Sequence, residues 1–397
     1  MILPHRILWL ARPVVVGVVF LMCVSPAAAS SWSVSAVTSS GGGVAWGNSA
    51  AMTDNGTGVI VYADFSNGNS VAYLRRKVSG GAWQSQVRLS AQGICYGTVP
   101  AVDANGSNVD VVWVQETGSD CTATTSGQAY YMHSSDNGAH FTSPQMISGS
   151  TLRAGEIDVA SGPNGEVLIG WTDDSNGKMY VRWSTDGVAF GSAQLIGTTK
   201  ATPWDGSSTL DGAVGVAIGS GVQYVAYLSN QSTIQVRRST DGGASWSAAT
   251  KITGQADGYS ELSITAEGSR ADIGFAALAK GHEWAQYRET KNGGASWKKP
   301  TNLTTPSQPY GTYTGVGLKE GTLRATYSRC VTASCDVLAV YYRQQKAGKS
   351  MSAAVRVSAP AAWSYAAGVA GVGNASVVMY YTYNVSSGDA YAATKGL

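Results

Sequence analysis

Charge is scarce in this chain. Asp, Glu, Lys and Arg make up 13% of its 397 residues, about half of ordinary usage. No basic tract occurs, so nothing offers the clustered cations that a nucleic-acid partner needs. Cysteines number five, with no C-x-x-C pair and no histidine spaced to complete a zinc site. No metal and no cofactor is therefore expected. No segment shows the period of a long amphipathic helix, which excludes a helical bundle. Long apolar runs are also missing. The longest, Val14 to Val24, is shorter than the roughly 20 residues that a spanning helix requires.

That run has company. Arg6 and Arg12 precede it and Ala27-Ala28-Ala29 follows it. A charged start, a short apolar stretch and small residues are the pattern of a secretory signal peptide. Residues 1–29 are expected to be removed after Ala29, leaving 30–397 as one exported, extracellular domain without a membrane span. Losing two arginines takes the formal net charge from +2 to zero. One cysteine, Cys23, goes with the leader. Cys95, Cys121, Cys330 and Cys335 remain, with three possible pairings. Cys330 and Cys335 flank a short loop, and Cys95 and Cys121 fall in one repeat. An oxidising compartment favours these two bridges.

What the chain has in abundance is glycine, 49 residues, with 20 tyrosines and 12 tryptophans. Seven short runs rich in Val, Ile and Tyr recur: 59–63, 109–114, 167–172, 224–229, 273–278, 324–328 and 377–382. Each follows a Gly-containing turn and, before that, a strand of small residues. Each precedes a third strand and then a further turn. Four strands per repeat result, at a spacing of about 50 residues. The last repeat lacks its fourth strand. A matching orphan stands at the other end: Ser31-Trp32-Ser33 resembles Ser245-Trp246-Ser247. The N-terminal strand is therefore expected to complete the last repeat and close a ring, which removes exposed strand edges. The expected fold is all-β, a seven-bladed propeller of four-stranded blades, and a monomer.

The turns after the third strands carry a motif. Ser239-Thr240-Asp241-Gly242-Gly243-Ala244-Ser245-Trp246 is its fullest form. Ser134-x-Asp136-x-Gly138-x-x-Phe141 repeats it. Thr290-Lys291-Asn292-Gly293-Gly294-Ala295-Ser296-Trp297 has Asn for Asp, and Ser184-Thr185-Asp186-Gly187-Val188-Ala189-Phe190 is one residue shorter. Such a carboxylate accepts backbone N–H groups just ahead of it, the Gly supplies a positive φ, and the ring is buried. The motif resembles the Asp-box, the bacterial neuraminidase repeat of the sialidase superfamily. The resemblance implies that Asp136, Asp186, Asp241 and Asn292 are structural and lie on the face away from a binding site. It also implies an arginine triad, a Tyr–Glu nucleophile pair and an Asp acid/base. The Arg-Ile-Pro segment that normally carries the first arginine is absent, and sialidase domains usually have six blades.

The opposite rim carries the loops that lead into each blade. They are aromatic, with Trp46, Tyr96, Trp204, Tyr259, Tyr310, Tyr313, Trp363 and Tyr365. Such rings either pack between blades or receive the C–H faces of sugars. Trp46, Tyr96, Trp204, Tyr259, Tyr313 and Trp363 are the expected glycan-binding set. Arg75, Arg76, Arg237, Arg238 and Arg288 fall in third strands, toward the blade exterior. Glu156, Asp158, Asp205, Asp211, Asp257 and Glu261 are the acids nearest the blade starts, and no catalytic pair among them is evident. The expected role is recognition of extracellular glycan or a surface polymer. The alternatives are an active exo-sialidase or related glycoside hydrolase, and a protein-interaction scaffold without a sugar site.

Overall fold

The structure is a computed structural model that describes residues 32–38, 43–44, 49–64, 70–91, 96–116, 127–149, 153–173, 175–199, 214–230, 232–256, 262–279, 281–305, 310–332, 334–358, 363–384 and 387–397. Seven antiparallel sheets form a propeller. The second strands are Gly58–Asp64, Asn108–Glu116, Val167–Asp173, Val222–Asn230, Arg270–Ala279, Thr322–Cys330 and Ser376–Asn384, of blades 1 to 7 in order. All seven match the apolar runs of the sequence. They are buried on both faces because each blade is covered by its neighbours.

The ring closes as expected. Ser33–Ala36 is the outer strand of blade 7 and pairs antiparallel with Ser387–Lys395, Ser33 opposite Thr394 and Ala36 opposite Tyr391. Trp32 sets its ring edge-on against Tyr342 of blade 6, with centroids 4.8 Å apart. Where the last blade meets the first, the backbones approach closely. A Cβ on Gly368 would stand 2.8 Å from the Ala50 nitrogen, so only glycine fits. One departure occurs in blade 1. Its second strand pairs with two short segments, Gly43–Val44 and Ala50–Met52, rather than one unbroken first strand.

Within blades, rings face each other across strands. Tyr62 stacks on Tyr73, Trp113 on Tyr130, Trp171 on Tyr180, Tyr327 on Tyr341 and Tyr380 on Tyr391. Each pair is a direct cross-strand pair of second and third strands. Such pairs stabilise a sheet by roughly 0.2–1 kcal/mol each. Much of the aromatic content is therefore core.

Between blades, arginines act as staples. Arg288 Nε donates to Lys298 O of its own blade, while its Nη1 donates to Ile252 O on the outer strand of blade 4, at 2.6 Å. Arg343 repeats this with Ser352 O and, at 2.9 Å, Leu303 O. Arg237 does so with Ser247 O and Ile196 O. Arg75 does so with Gln84 O and, at 3.0 Å, Val37 O of the N-terminal segment. A planar guanidinium can hold two carbonyls in one fixed arrangement, which suits this bridging.

The turns after the third strands fold as local chemistry dictates. Ser239 Oγ donates to Asp241 Oδ1 (2.7 Å) and accepts from Gly243 N–H (2.8 Å), while Ser245 N–H donates to Asp241 Oδ1 (2.9 Å). Gly243 has φ +77°. Ser245 and the other donors hold the Asp241 carboxyl down at about 2. Asp136 is lowered chiefly by His140, and Asp186 chiefly by the Ala189 N–H. Asn292 keeps the arrangement without a charge, accepting from Thr290 Oγ1 (2.8 Å) and Ser296 N–H (3.0 Å). The turns also clasp the preceding blade. Arg76 Nε donates to Asn137 O (2.7 Å), and Tyr131 OH, whose proton is shared between Asp110 Oδ1 and Gly187 O, lies 3.0 Å from Gly187 O. Phe190 sets its edge against Tyr131, and Trp297 against Tyr224.

Candidate functional site

Antiparallel connection fixes two faces. The starts of the first strands and the second-to-third-strand loops share the upper face. The first-to-second-strand turns and the Asp- and Asn-containing turns share the lower one. First strands of all seven blades line a central cavity of about 290 Å³ that opens downward. At its mouth Lys319 of blade 6 reaches Asp54 of blade 1, with Nζ 2.7 Å from Oδ1. Asp103 accepts the Ser161 N–H at 2.8 Å, and burial pushes its carboxyl up to about 6.

On the upper face the exposed large rings among the described residues, Tyr310 and Trp363, fall on blades 6 and 7. Trp363 opens the first strand of blade 7 and is 44% exposed. Tyr313, at φ +50°, sits where the register of blade 6 shifts between Thr312 and Gly315. Its ring meets Tyr365 edge-on at 4.8 Å, and Tyr365 stacks on Tyr381 at 4.9 Å. Tyr310, 43% exposed, forms a parallel bridge with Glu283 of blade 5. Beside it His282 and Trp284 meet edge-on at 6.1 Å. Arg329 is the penultimate residue of the second strand of blade 6, with its guanidinium 3.8 Å from the centre of the Tyr341 ring. A disulfide joins Cys330 to Cys335, with Cα atoms 4.8 Å apart, and pins the next loop.

Of the six expected glycan-binding rings, Tyr313 and Trp363 are thus on one sector. Trp46, Trp204, Tyr259 and the Tyr96 side chain lie outside the described residues, as do Cys95 and Cys121 and the leader. Among the acids, Asp158 does not face the upper funnel. It is buried and accepts the Val216 N–H at 2.8 Å, tying blade 3 to blade 4. Asp173 opens a hairpin and accepts from Ser175 Oγ and Asn176 Nδ2, both at 2.6 Å. Asp205, Asp211, Asp257 and Glu261 lie outside the described residues. No group of three His, Cys, Asp or Glu among the described residues is placed to hold a metal. No helix among them is long and apolar enough to cross a membrane. The arginine staples are the residues that sequence reasoning placed but did not explain. Their recurrence two positions before the end of the third strand was the available signal.

Solved structures share this fold. A Hadza microbial sialidase superposes with a TM-score of 0.52 at 14% identity, over 72% of this chain and 63% of that one. The chain thus spans less than two thirds of that sialidase's length. An ulvan lyase, described as founding a new family of polysaccharide lyases, gives 0.58 at 10% identity, over 88% and 94% of the two chains. The same kind of lyase bound to -[GlcA(1-4)Rha3S]- gives 0.56 at 9% identity, over 88% and 94%. At such identities the likeness is one of fold. No family model and no curated protein sequence matches the chain.

Proposed function

We propose that this protein is a secreted, monomeric, sialidase-like propeller that binds extracellular glycan on the upper rim of blades 5 to 7. The observation that carries this reading is the exposure of Trp363 and Tyr310 beside the Tyr313–Tyr365–Tyr381 cluster. Exposed flat rings next to hydroxyls suit a ligand with C–H faces and hydroxyl edges. The names of the fold neighbours, a sialidase and a polysaccharide lyase, are consistent with a glycan as ligand. The Cys330–Cys335 bridge and the leader-like residues 1–29 support export. In this reading Asp136, Asp186, Asp241 and Asn292 are Asp-box positions that serve stability alone.

The test is a glycan array followed by titration of a bound glycan. Trp363→Ala should weaken binding about tenfold, roughly 1.4 kcal/mol, with an unchanged Tm, because the exposed ring leaves no cavity behind. Hydrolysis of a fluorogenic sialoside should be absent or very weak. Robust turnover would establish the hydrolase reading instead. Silence on the array would leave a scaffold without a sugar site.

A further inference from the structure

We infer that the upper rim of blades 5 to 7 takes an internal stretch of a neutral polysaccharide laid across all three blades. This deepens the glycan-binding reading above and rests on it. The first argument is the placement of apolar surface. Leu278, Tyr310, Val331 and Trp363 are large, exposed and apolar, and they fall on the upper ends of three successive blades. Of the other exposed apolar side chains, Val34, Val87, Met146, Leu195 and Val355 sit singly on outer strands, and Val78 and Val188 sit singly in lower turns of blades 1 and 3. Scattered residues of that kind are normal, whereas a contiguous group marks a binding surface. One sugar ring covers one aromatic face. A ligand that meets anchors on blades 5, 6 and 7 has several units.

Rigidity is the second argument. Ala256 N–H donates to Ser232 O at 2.9 Å, and Leu278 N–H donates to Gln255 O at 2.6 Å. The Glu283–Tyr310 bridge then joins blade 5 to blade 6, and the Cys330–Cys335 disulfide pins the adjoining loop. A platform held in this way loses little freedom when a long ligand settles on it.

Charge decides the chemical class. Among the described residues at these upper ends, Glu283, Asp336 and Asp389 are acids, and the cations are Arg356, opposite Tyr341 on the outer strand, and Arg329. Its guanidinium lies on the Tyr341 ring. Lys77, Lys291, Lys319, Lys346 and Lys395 belong to the opposite face. Among the described residues a polyanion at the rim meets more carboxylates than cations, so this surface favours uncharged sugars.

Titration calorimetry with the full-length exported protein tests this. The probes are manno-, gluco-, xylo- and chito-oligosaccharides from mono- to hexasaccharide, with polygalacturonate and heparin as anionic probes. At least one neutral series should gain about tenfold or more in affinity from mono- to hexasaccharide. Its affinity should change by less than about twofold between low and high salt. Tyr310→Ala and Trp363→Ala should each flatten that gain without moving Tm. A monosaccharide that binds as tightly as its hexasaccharide would overturn the inference, as would preferential, salt-sensitive binding of either polyanion. In both cases the glycan-binding reading would survive. No binding to any probe or arrayed glycan would overturn that reading and this inference together.

Discussion

Asp241 and Trp363 stand on opposite faces of the ring, and their surroundings differ in kind. The Asp241 carboxylate takes hydrogen bonds from Ser239 and Ser245 within its own turn. The turn of the same design at Gly293 is held by Arg238 of the blade before it. Trp363 instead presents its ring to solvent, and so does Tyr310 one blade away. The lower face thus uses polar chemistry to fix the chain to itself. The upper rim of blades 5 to 7 holds its backbone by hydrogen bonds and leaves apolar side chains outward. A sequence rich in Ser, Gly and Trp serves both ends, so composition alone says little about which end is functional.

The sharpest way to break this comparison is to open the ring. Removing residues 32–38 deletes the outer strand of blade 7, the Trp32–Tyr342 contact and the Val37 carbonyl that Arg75 holds. Ser387–Lys395 would then be an exposed edge, ready to pair with another chain. The expected loss is comparable to the whole stability of a domain, about 5–15 kcal/mol. Size-exclusion chromatography should show aggregation in place of a monomer peak. A cooperative melt at the original temperature would show that closure is not carried by this strand.

The next largest effect is expected from the staples. Arg288→Ala removes donors to carbonyls of two blades, Ile252 O and Lys298 O. The part-buried Ile252 carbonyl left without a partner costs about 1–3 kcal/mol, while the exposed Lys298 carbonyl can turn to water. Thermal melts should show a clear drop in Tm, while affinity for any glycan bound at the rim stays the same. Arg288→Lys should recover little, since an ammonium cannot hold both carbonyls in the same plane. A full rescue by lysine would reduce the staple to a simple charge.

These staples mark the limit of what the sequence made legible. The seven apolar runs, four strands per repeat, the closing strand and the Cys330–Cys335 bridge could all be read from local pattern, because alternation, turn residues and short loops act over few residues. The partner of Arg288 lies 36 residues earlier, on another blade, and nothing near Arg288 announces it. The same limit applies to the rim. Tyr313 and Trp363 lead successive blades in similar contexts, yet one is wedged against Tyr365 and the other is exposed. Packing between blades makes that choice. Asp158 shows the opposite failure: an acid near the start of a blade looked available for chemistry, and the Val216 N–H holds it in the core.

A smaller effect separates the turns from each other. Asp241→Ala should lower Tm by less than Arg288→Ala, since the carboxylate is solvent-exposed and water can replace part of what it does. Asp241→Asn should be milder still, because Asn292 fills the same position in blade 5 and accepts the same bonds. The pH dependence distinguishes the two turns. The folded carboxyl of Asp241 is depressed to about 2, so its contribution is present above the ordinary carboxylate range and is lost as pH falls through that value. The Asn variant should lose this acid-side slope. An unchanged slope would mean that Asp241 is not held by its turn.

The smallest expected effect lies in the most inward-turned group of the lower half. Asp110 of blade 2 is buried and accepts from Tyr131 OH (2.7 Å), from Ser161 Oγ of blade 3 (2.6 Å) and from His133 Nδ1 (2.8 Å). The bond to Asp110 raises the His133 imidazole above its ordinary value, against the opposing pull of burial. The sign follows directly. A histidine raised in the folded state contributes stability that is complete below about 6.5 and fades as pH rises through the raised value. The cause that raises His133 is Asp110 alone, which Tyr131 also engages, and Asp136 is paired with His140. An NMR titration should place the His133 midpoint above the ordinary imidazole value of about 6.5, and His133→Gln should remove the alkaline loss of stability while leaving rim binding untouched. A His133 midpoint at or below 6.5 would show that Asp110 is committed to Tyr131 and Ser161 alone, and that this link between blades 2 and 3 does not respond to pH.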